Sequence, residues 1–221
     1  MCDKHEMSLE DFWKPRNCFA PTIPEVYGAV DLLDRAANAI LSGDGEAASS
    51  LIAEADMPAI GDFVRLIMGP VNANIHRFRM VPGSPMKLKN AGNRMPPARV
   101  INEIYCRDGW RCRFCGVRVI SSQAIKLIRD MFPLTARWGA RDVEKHPAFL
   151  ALQSSLDHIS PHSRGGDNDP YNLVTACYPC QFGRNQWTLE EVGLSDPRLR
   201  PPVIDEWDGL VRLVRTSNSG R

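Results

Sequence analysis

Leu156-Asp157-His158-Ile159-Ser160-Pro161-His162-Ser163-Arg164-Gly165-Gly166 decides the fold, together with Asn172-Leu173-Val174-Thr175-Ala176-Cys177-Tyr178-Pro179-Cys180 just behind it. Residues 156–159 read as a short β-type run, and the Gly-Gly pair reverses the chain. A second short apolar run begins at Asn172 and leads into a cysteine pair. This is a hairpin feeding a helix, with His158 and Asn172 brought opposite one another. A histidine beside an aspartate is by itself an ordinary structural pair; the loop and the second run change its meaning. Together they offer a base, a residue to hold the base, and in Asp157 a carboxylate for a cation.

Outward from the hairpin, Cys177 and Cys180 form one C-x-x-C pair and Cys112-Arg113-Phe114-Cys115 supplies another. Two such pairs match a tetrahedral zinc site of four thiolates, two from each. Sixty-one residues separate Cys115 from Cys177, more than a minimal zinc ribbon needs, so the segment between them must itself be folded. A redox dithiol is the rival reading, but the βαβ setting it requires is missing. Cys2, Cys18 and Cys106 have no partner at ligand spacing and read as core or incidental thiols. The total of seven cysteines is odd, and the opening Met1-Cys2-Asp3-Lys4-His5-Glu6 is polar and acidic, unlike an export signal. A reducing, cytoplasmic setting with metal ligation is therefore expected, rather than a disulfide framework. No apolar run approaches the ~18–20 residues that a membrane span needs.

Farther out the chain changes character twice. Residues 1–75 hold five basic and twelve acidic side chains, residues 76–118 hold ten basic against Glu103 and Asp108, and the remainder balances at twelve of each. The near-neutral total of 27 Lys+Arg against 26 Asp+Glu thus hides a block of net +8, the footprint of a surface that meets a polyanion. Upstream, Thr22-Ile23-Pro24-Glu25 reads as a capping box, with Val26, Val30, Leu33, Ala37 and Leu41 on one helix face. Ser42-Gly43-Asp44-Gly45 stops that helix. A second is expected over about 46–55, and a third carries Ile60, Phe63, Val64, Ile67 and Met68 before Gly69-Pro70. Residues 1–80 thus form a small helical module without evident chemistry, suited to docking a protein partner. Residues 81–97, rich in Pro, Gly and basic side chains, read as a linker.

From Ala98 a helical pattern returns, with Val100, Ile101, Ile104 and Tyr105, and Asp108-Gly109 closes it. An insertion over 121–153 opens at Ser121-Ser122. It places Ile125, Ile128 and Phe132 on one face, with Trp138 and Phe149-Leu150 as further apolar anchors. Thr188-Leu189-Glu190-Glu191 is a second capping box, and Asp205 is expected to cap a last helix bearing Trp207, Leu210, Val211 and Val214. The tail from Thr216 is polar and expected to fray.

These motifs, in this order, resemble an HNH endonuclease of the zinc-stapled kind, with the ββα-metal fold. Tyr105-Cys106-Arg107-Asp108-Gly109-Trp110-Arg111-Cys112-Arg113-Phe114-Cys115-Gly116 is similar to the family's segment around its first cysteine pair. Asp157-His158-Ile159, Pro161 and Ser163-Arg164-Gly165-Gly166 match its first histidine and loop, and Asn172 through Cys177 match its central asparagine and second pair. The resemblance covers about residues 98–187. It does not reach the N-terminal helices; it implies an HNH domain over 98–221 with a four-cysteine zinc site, which the helical module read from periodicity precedes, an α+β chain in all. One position departs. The family has Asn or His directly after the last cysteine as a metal ligand, and here Gln181 stands there. Asn185, four residues on, shares its face if the helix continues. Arg184 stands where the family often has Lys.

The resemblance implies metal-dependent hydrolysis of DNA phosphodiesters, in restriction, defence or mobile-element biology. His158 is the general base, suited by an unperturbed pKa of ~6.5, and Asn172 orients it. Asp157, with Gln181, Asn185 or both, holds one Mg²⁺ or Mn²⁺. Zn²⁺ on Cys112, Cys115, Cys177 and Cys180 is structural, since four thiolates leave no open position. Arg164, Arg184, Lys87, Lys89, Arg94, Arg111 and Arg113 are the residues expected against nucleic acid; for Arg164 an ordinary loop charge is an equal alternative. His162 is a weaker candidate for substrate or metal, and His146 reads as non-chemical. The rival is a non-catalytic, zinc-stapled nucleic-acid-binding module whose site has decayed at Gln181, or a subunit of a larger complex.

Overall fold

The computed structural model of the protein describes residues 14–68, 81–86 and 93–219. Gly69-Pro70, Lys87, Lys89, Cys2 and the last residues of the tail lie outside them. Helix α1, Pro24–Ser42, begins with proline in its first turn, where a missing N–H costs nothing. The expected capping box does not form: Ile23 is the N-cap and makes no side-chain bond, and the Thr22 hydroxyl is buried without a partner. Val26, Val30, Leu33 and Ala37 face the core as their spacing predicts, whereas Leu41 is exposed. Gly43, at φ 81°, closes the helix in the left-handed conformation that glycine tolerates. Asp44 then caps α2, Gly45–Glu54, accepting from the Ala47 N–H at 3.0 Å. Helix α3, Pro58–Met68, buries Ile60, Phe63, Val64 and Ile67.

The second half contains α4 (Ala98–Arg107), α5 (Ser122–Met131), α6 (Pro147–Leu152), β1 (Ser154–His158), β2 (Leu173–Cys177), α7 (Tyr178–Arg184) and α8 (Val211–Ser219). Strands β1 and β2 pair antiparallel, from Ser154 opposite Cys177 to His158 opposite Leu173. The Ile159 N–H donates to the Asn172 carbonyl at 2.8 Å, so Asn172 faces Ile159 and not His158, one step from the sequence expectation. Two short strands alone are marginal in water, and here side chains brace the free edge of β2. Buried Asp108 accepts from the Thr175 N–H at 2.7 Å, and Arg107 donates to the carbonyls of Leu173 at 2.7 Å and Pro170 at 2.8 Å. The Arg113 N–H adds a bond to the Thr175 carbonyl at 2.8 Å. The lead-in to the first cysteine pair therefore stands where a third strand would.

Helices α1 and α3 pack against α6, α3 also against α7, and α1 against α8. One hydrophobic core runs from Phe19, Leu33, Ile52 and Ile67 through Phe114, Phe149 and Leu156 to Leu210 and Leu213. The helices expected as a separate N-terminal module share this core rather than standing off on a linker. Gly183 of α7 marks the close approach: a Cβ there would lie 2.8 Å from Ile67 Cγ2 and 3.2 Å from Phe19 Cδ2.

Two capping expectations also change. The Thr188–Glu191 box forms both of its bonds, Thr188 N–H to Glu191 Oε2 at 2.8 Å and Glu191 N–H to Thr188 Oγ1 at 3.3 Å, but it closes a turn instead of a helix. Asp208, rather than Asp205, caps the start of α8, accepting from the N–H groups of Leu210 and Arg212. Among the described residues, no helix is long and apolar enough to cross a membrane.

Candidate metal centres and catalytic cleft

The two ends of the β1–β2 hairpin carry different chemistry. At the Cys177 end, the turn from Cys112 to Val117 closes through Cys112 N–H to Val117 O and Gly116 N–H to Cys112 O, each 2.8 Å. It presents Cys112 and Cys115 to Cys177 and to Cys180 in the first turn of α7. The four sulfurs lie within 4.8 Å of one another, Cys115 and Cys177 at 3.7 Å. Zinc–sulfur bonds of ~2.3 Å in a tetrahedron set sulfurs roughly 3.8 Å apart, so the cluster could hold one zinc ion with little movement. Burial would push the Cys112 thiol up, yet hydrogen bonds from Cys115, Cys177 and Cys180 hold it well below its ordinary value. Bonds with Cys112 and Cys115, together with burial, push Cys177 and Cys180 well above theirs. Four sulfurs this close cannot all ionise together unless a cation compensates them.

At the opposite end β1 delivers Asp157 and His158 to a cleft of about 290 Å³, which Arg94, His162, Gln181 and Asn185 also line. Asp157 is buried and accepts from Arg184 Nη2 at 2.5 Å and Nε at 2.9 Å. The Arg184 guanidinium, only 1% exposed, also donates to the carbonyls of His158 and of Trp187, the latter at 2.7 Å. Helix α7 is thus clamped across β1, and Gln181 adds a bond from Nε2 to the Leu156 carbonyl at 3.0 Å. The Gln181 Oε1 is buried without a hydrogen-bond partner. An orphaned oxygen on a residue that lines the same cleft as a carboxylate suits a hard divalent cation. Helix α7 stops at Arg184, and Asn185 follows at φ 52°. It therefore does not continue the helical face, although it reaches the same cleft.

His158 is buried, and that burial lowers its pKa below the ordinary value near 6.5. The bond with Asn168 and the charge of Asp157 oppose the shift, while His162 and Arg94 add to it. His162 meets the His158 ring edge-on, with centroids 5.6 Å apart. Asn172 does not hold the imidazole with its carboxamide. Its Oδ1 accepts from the Ser160 N–H at 2.8 Å, and its Nδ2 donates to the carbonyls of Ser160 at 3.2 Å and Asp167 at 2.9 Å. The amide therefore closes the loop between the strands. Asn168, from within that loop, touches the ring instead, its Oδ1 2.9 Å from His158 Nε2.

Most of the arginines expected against nucleic acid have structural partners. Arg164 pairs with buried Glu191 at 2.8 Å and stacks over Trp187, and Arg184 is the buried clamp on Asp157. Arg111 pairs with Asp205 at 2.5 Å, and Arg113 donates to the carbonyls of Pro197 at 2.8 Å and Arg200. Each basic side chain found an acceptor far away in sequence, which a local charge count cannot register. Arg94 is exposed at the cleft. His146 is a buried tie, with Nε2 donating to the Ile52 carbonyl at 2.9 Å. Asn168 and Asp108 carry no signal in the sequence, because polar loop residues of this kind are usually solvated.

Residues 145–181 match the family model for the HNH endonuclease. No curated protein and no solved structure is matched by the chain. The match spans α6, both strands and the second cysteine pair, so the chain carries an HNH domain, a fold of nuclease or nucleic-acid-related function. The four-cysteine cluster adds a candidate metal centre.

Proposed function

We propose that the protein is a metal-dependent endonuclease that hydrolyses DNA phosphodiester bonds. The observation that carries this reading is the cleft itself: a buried imidazole, a carboxylate and an unpartnered amide oxygen converge where the HNH segment ends its hairpin. His158 takes the proton from the attacking water. Asp157, with Gln181 Oε1 or Asn185, would hold one Mg²⁺ or Mn²⁺; when bound, such an ion polarises the phosphoryl oxygen and stabilises the leaving oxygen. Asn172 holds the loop behind the base, and Arg94 meets the phosphate backbone. Zinc on the four cysteines keeps α7 in place and takes no part in the chemistry.

The test is plasmid cleavage by the purified chain with Mg²⁺, with Mn²⁺ or with EDTA, beside His158→Ala. The variant should lose about 10²–10⁴-fold in rate, the usual contribution of a general base, while keeping zinc, fold and DNA affinity. One observation favours a second reading, a zinc-stapled nucleic-acid-binding module: both oxygens of Asp157 already accept from Arg184. Equal inactivity of wild type and His158→Ala with every metal, combined with DNA binding, would establish that module instead.

A further inference from the structure

A neutral imidazole acts as a base only through the nitrogen that lacks a proton, and the partner of the other nitrogen decides which one that is. Asn168 is that partner for His158. Its Oδ1 lies 2.9 Å from His158 Nε2, and its Nδ2 donates to the backbone carbonyl of Asn93 at 2.9 Å. A carbonyl can only accept, so the Asn93 contact settles which end of the amide carries nitrogen. The end facing the ring is then oxygen, Nε2 carries the proton, and Nδ1 holds the lone pair.

The supports of Asn168 form a chain. Asn172 Nδ2 holds the Asp167 carbonyl at 2.9 Å, and Asp169 turns the backbone back by accepting from the Tyr171 N–H at 2.8 Å. Asn168 stands between these two fixed points. The bond to Asn93 also ties down the segment that brings Arg94 to the cleft. We propose that Asn168 is a positioning residue that sets the tautomer and ring orientation of His158, with the Asn93 carbonyl holding its amide in register. Asn172 acts one step farther back, through the loop. The assignment rests on the nuclease reading, because it concerns the nitrogen that takes the proton from water.

Ring ¹⁵N spectra of the full-length, zinc-loaded protein at mildly alkaline pH read the tautomer directly, and His158→Gln assigns the signals. Wild type should show the Nε2–H form. Asn168→Asp should keep it, since a carboxylate can only accept from that nitrogen, whereas Asn168→Ala should give a mixture of tautomers. In cleavage, Asn168→Ala should lower kcat by on the order of 10²-fold, the lower end of a general-base contribution, with KM nearly unchanged. Asn168→Asp should recover part of that loss. If wild type cleaves and Asn168→Ala keeps both kcat and the Nε2–H form, the Asn168 assignment fails and the nuclease reading stands. If wild type cleaves nothing with any divalent metal, the nuclease reading fails and takes this role with it.

Discussion

The two ends of one short hairpin hold their charge in opposite ways. At the Cys177 end, four sulfurs face one another within 4.8 Å, an arrangement whose charge a metal ion would compensate. At the His158 end, the protein supplies its own cation: Arg184 neutralises Asp157 from within the fold. A site whose charge is compensated only by a metal needs that metal in order to fold. A site already balanced by a buried arginine can stay folded while a metal comes and goes. On the nuclease reading proposed above, the difference separates a structural centre from an exchangeable, catalytic one.

The largest effect should come from breaking the cysteine end. Cys177→Ser removes one ligand from a buried cluster in the strand that also pairs with β1, and it should abolish zinc retention and cooperative folding. Structural zinc sites contribute about 10–16 kcal/mol of apparent binding energy in small peptides, more than a typical domain has in reserve. Elemental analysis and circular dichroism would check it; a well-folded, zinc-free variant would contradict the account.

Breaking the other end should cost less and leave the zinc in place. Arg184→Met strands Asp157 as a buried carboxylate without a partner, which typically destabilises by about 3–5 kcal/mol. Urea denaturation measures the loss. A second change, Asp157→Asn, removes the stranded charge and should restore much of the stability without restoring activity. If Arg184→Met is neutral on its own, Asp157 is not balanced by the fold and the contrast between the two ends disappears.

Acidification should have the smallest effect. Burial holds both His146 and His158 below the ordinary pKa near 6.5, so the folded state prefers each ring neutral. The stability they confer is full above pH ~6.5, where the unfolded rings are also neutral. It is lost as pH falls from there towards the lower folded-state values. Thermal melts between pH 7.5 and 5.5 should show the decline, and His146→Gln, which retains an N–H for the Ile52 carbonyl, should flatten it. A melting temperature that rises over this interval would contradict the assignment.

The same contrast explains which parts were legible in the sequence. Thiol ligands reveal themselves by spacing, and Cys112, Cys115, Cys177 and Cys180 converge as the two C-x-x-C pairs predict. Helices α1 to α3 were readable from apolar residues recurring every three or four positions, because those faces are buried whatever lies opposite them. Asp157 and His158 were readable from the hairpin around them. The balance of charge at the cleft was not. Arg184 finds Asp157, Arg164 finds Glu191 and Arg111 finds Asp205 only after the chain has folded, at sequence separations of 27, 27 and 94. Among the described residues of the basic block, Arg107, Arg111, Arg113 and Arg118 brace the fold, where the charge count read a surface for phosphate, while Arg94 and Arg99 are exposed. Asn168 was illegible for a related reason: its role depends on a loop geometry that Asn172 and Asp169 impose from either side.

The most direct measurement is selective metal removal. Purified protein is treated with EDTA under mild conditions, and zinc content, circular dichroism and plasmid cleavage are read on the same sample, before and after Mg²⁺ is restored. The account predicts that one zinc and the fold survive while cleavage is lost, and that Mg²⁺ alone brings cleavage back. Cleavage that persists in EDTA, or that is lost only in step with zinc and fold, would contradict the division of labour between the two ends of the hairpin.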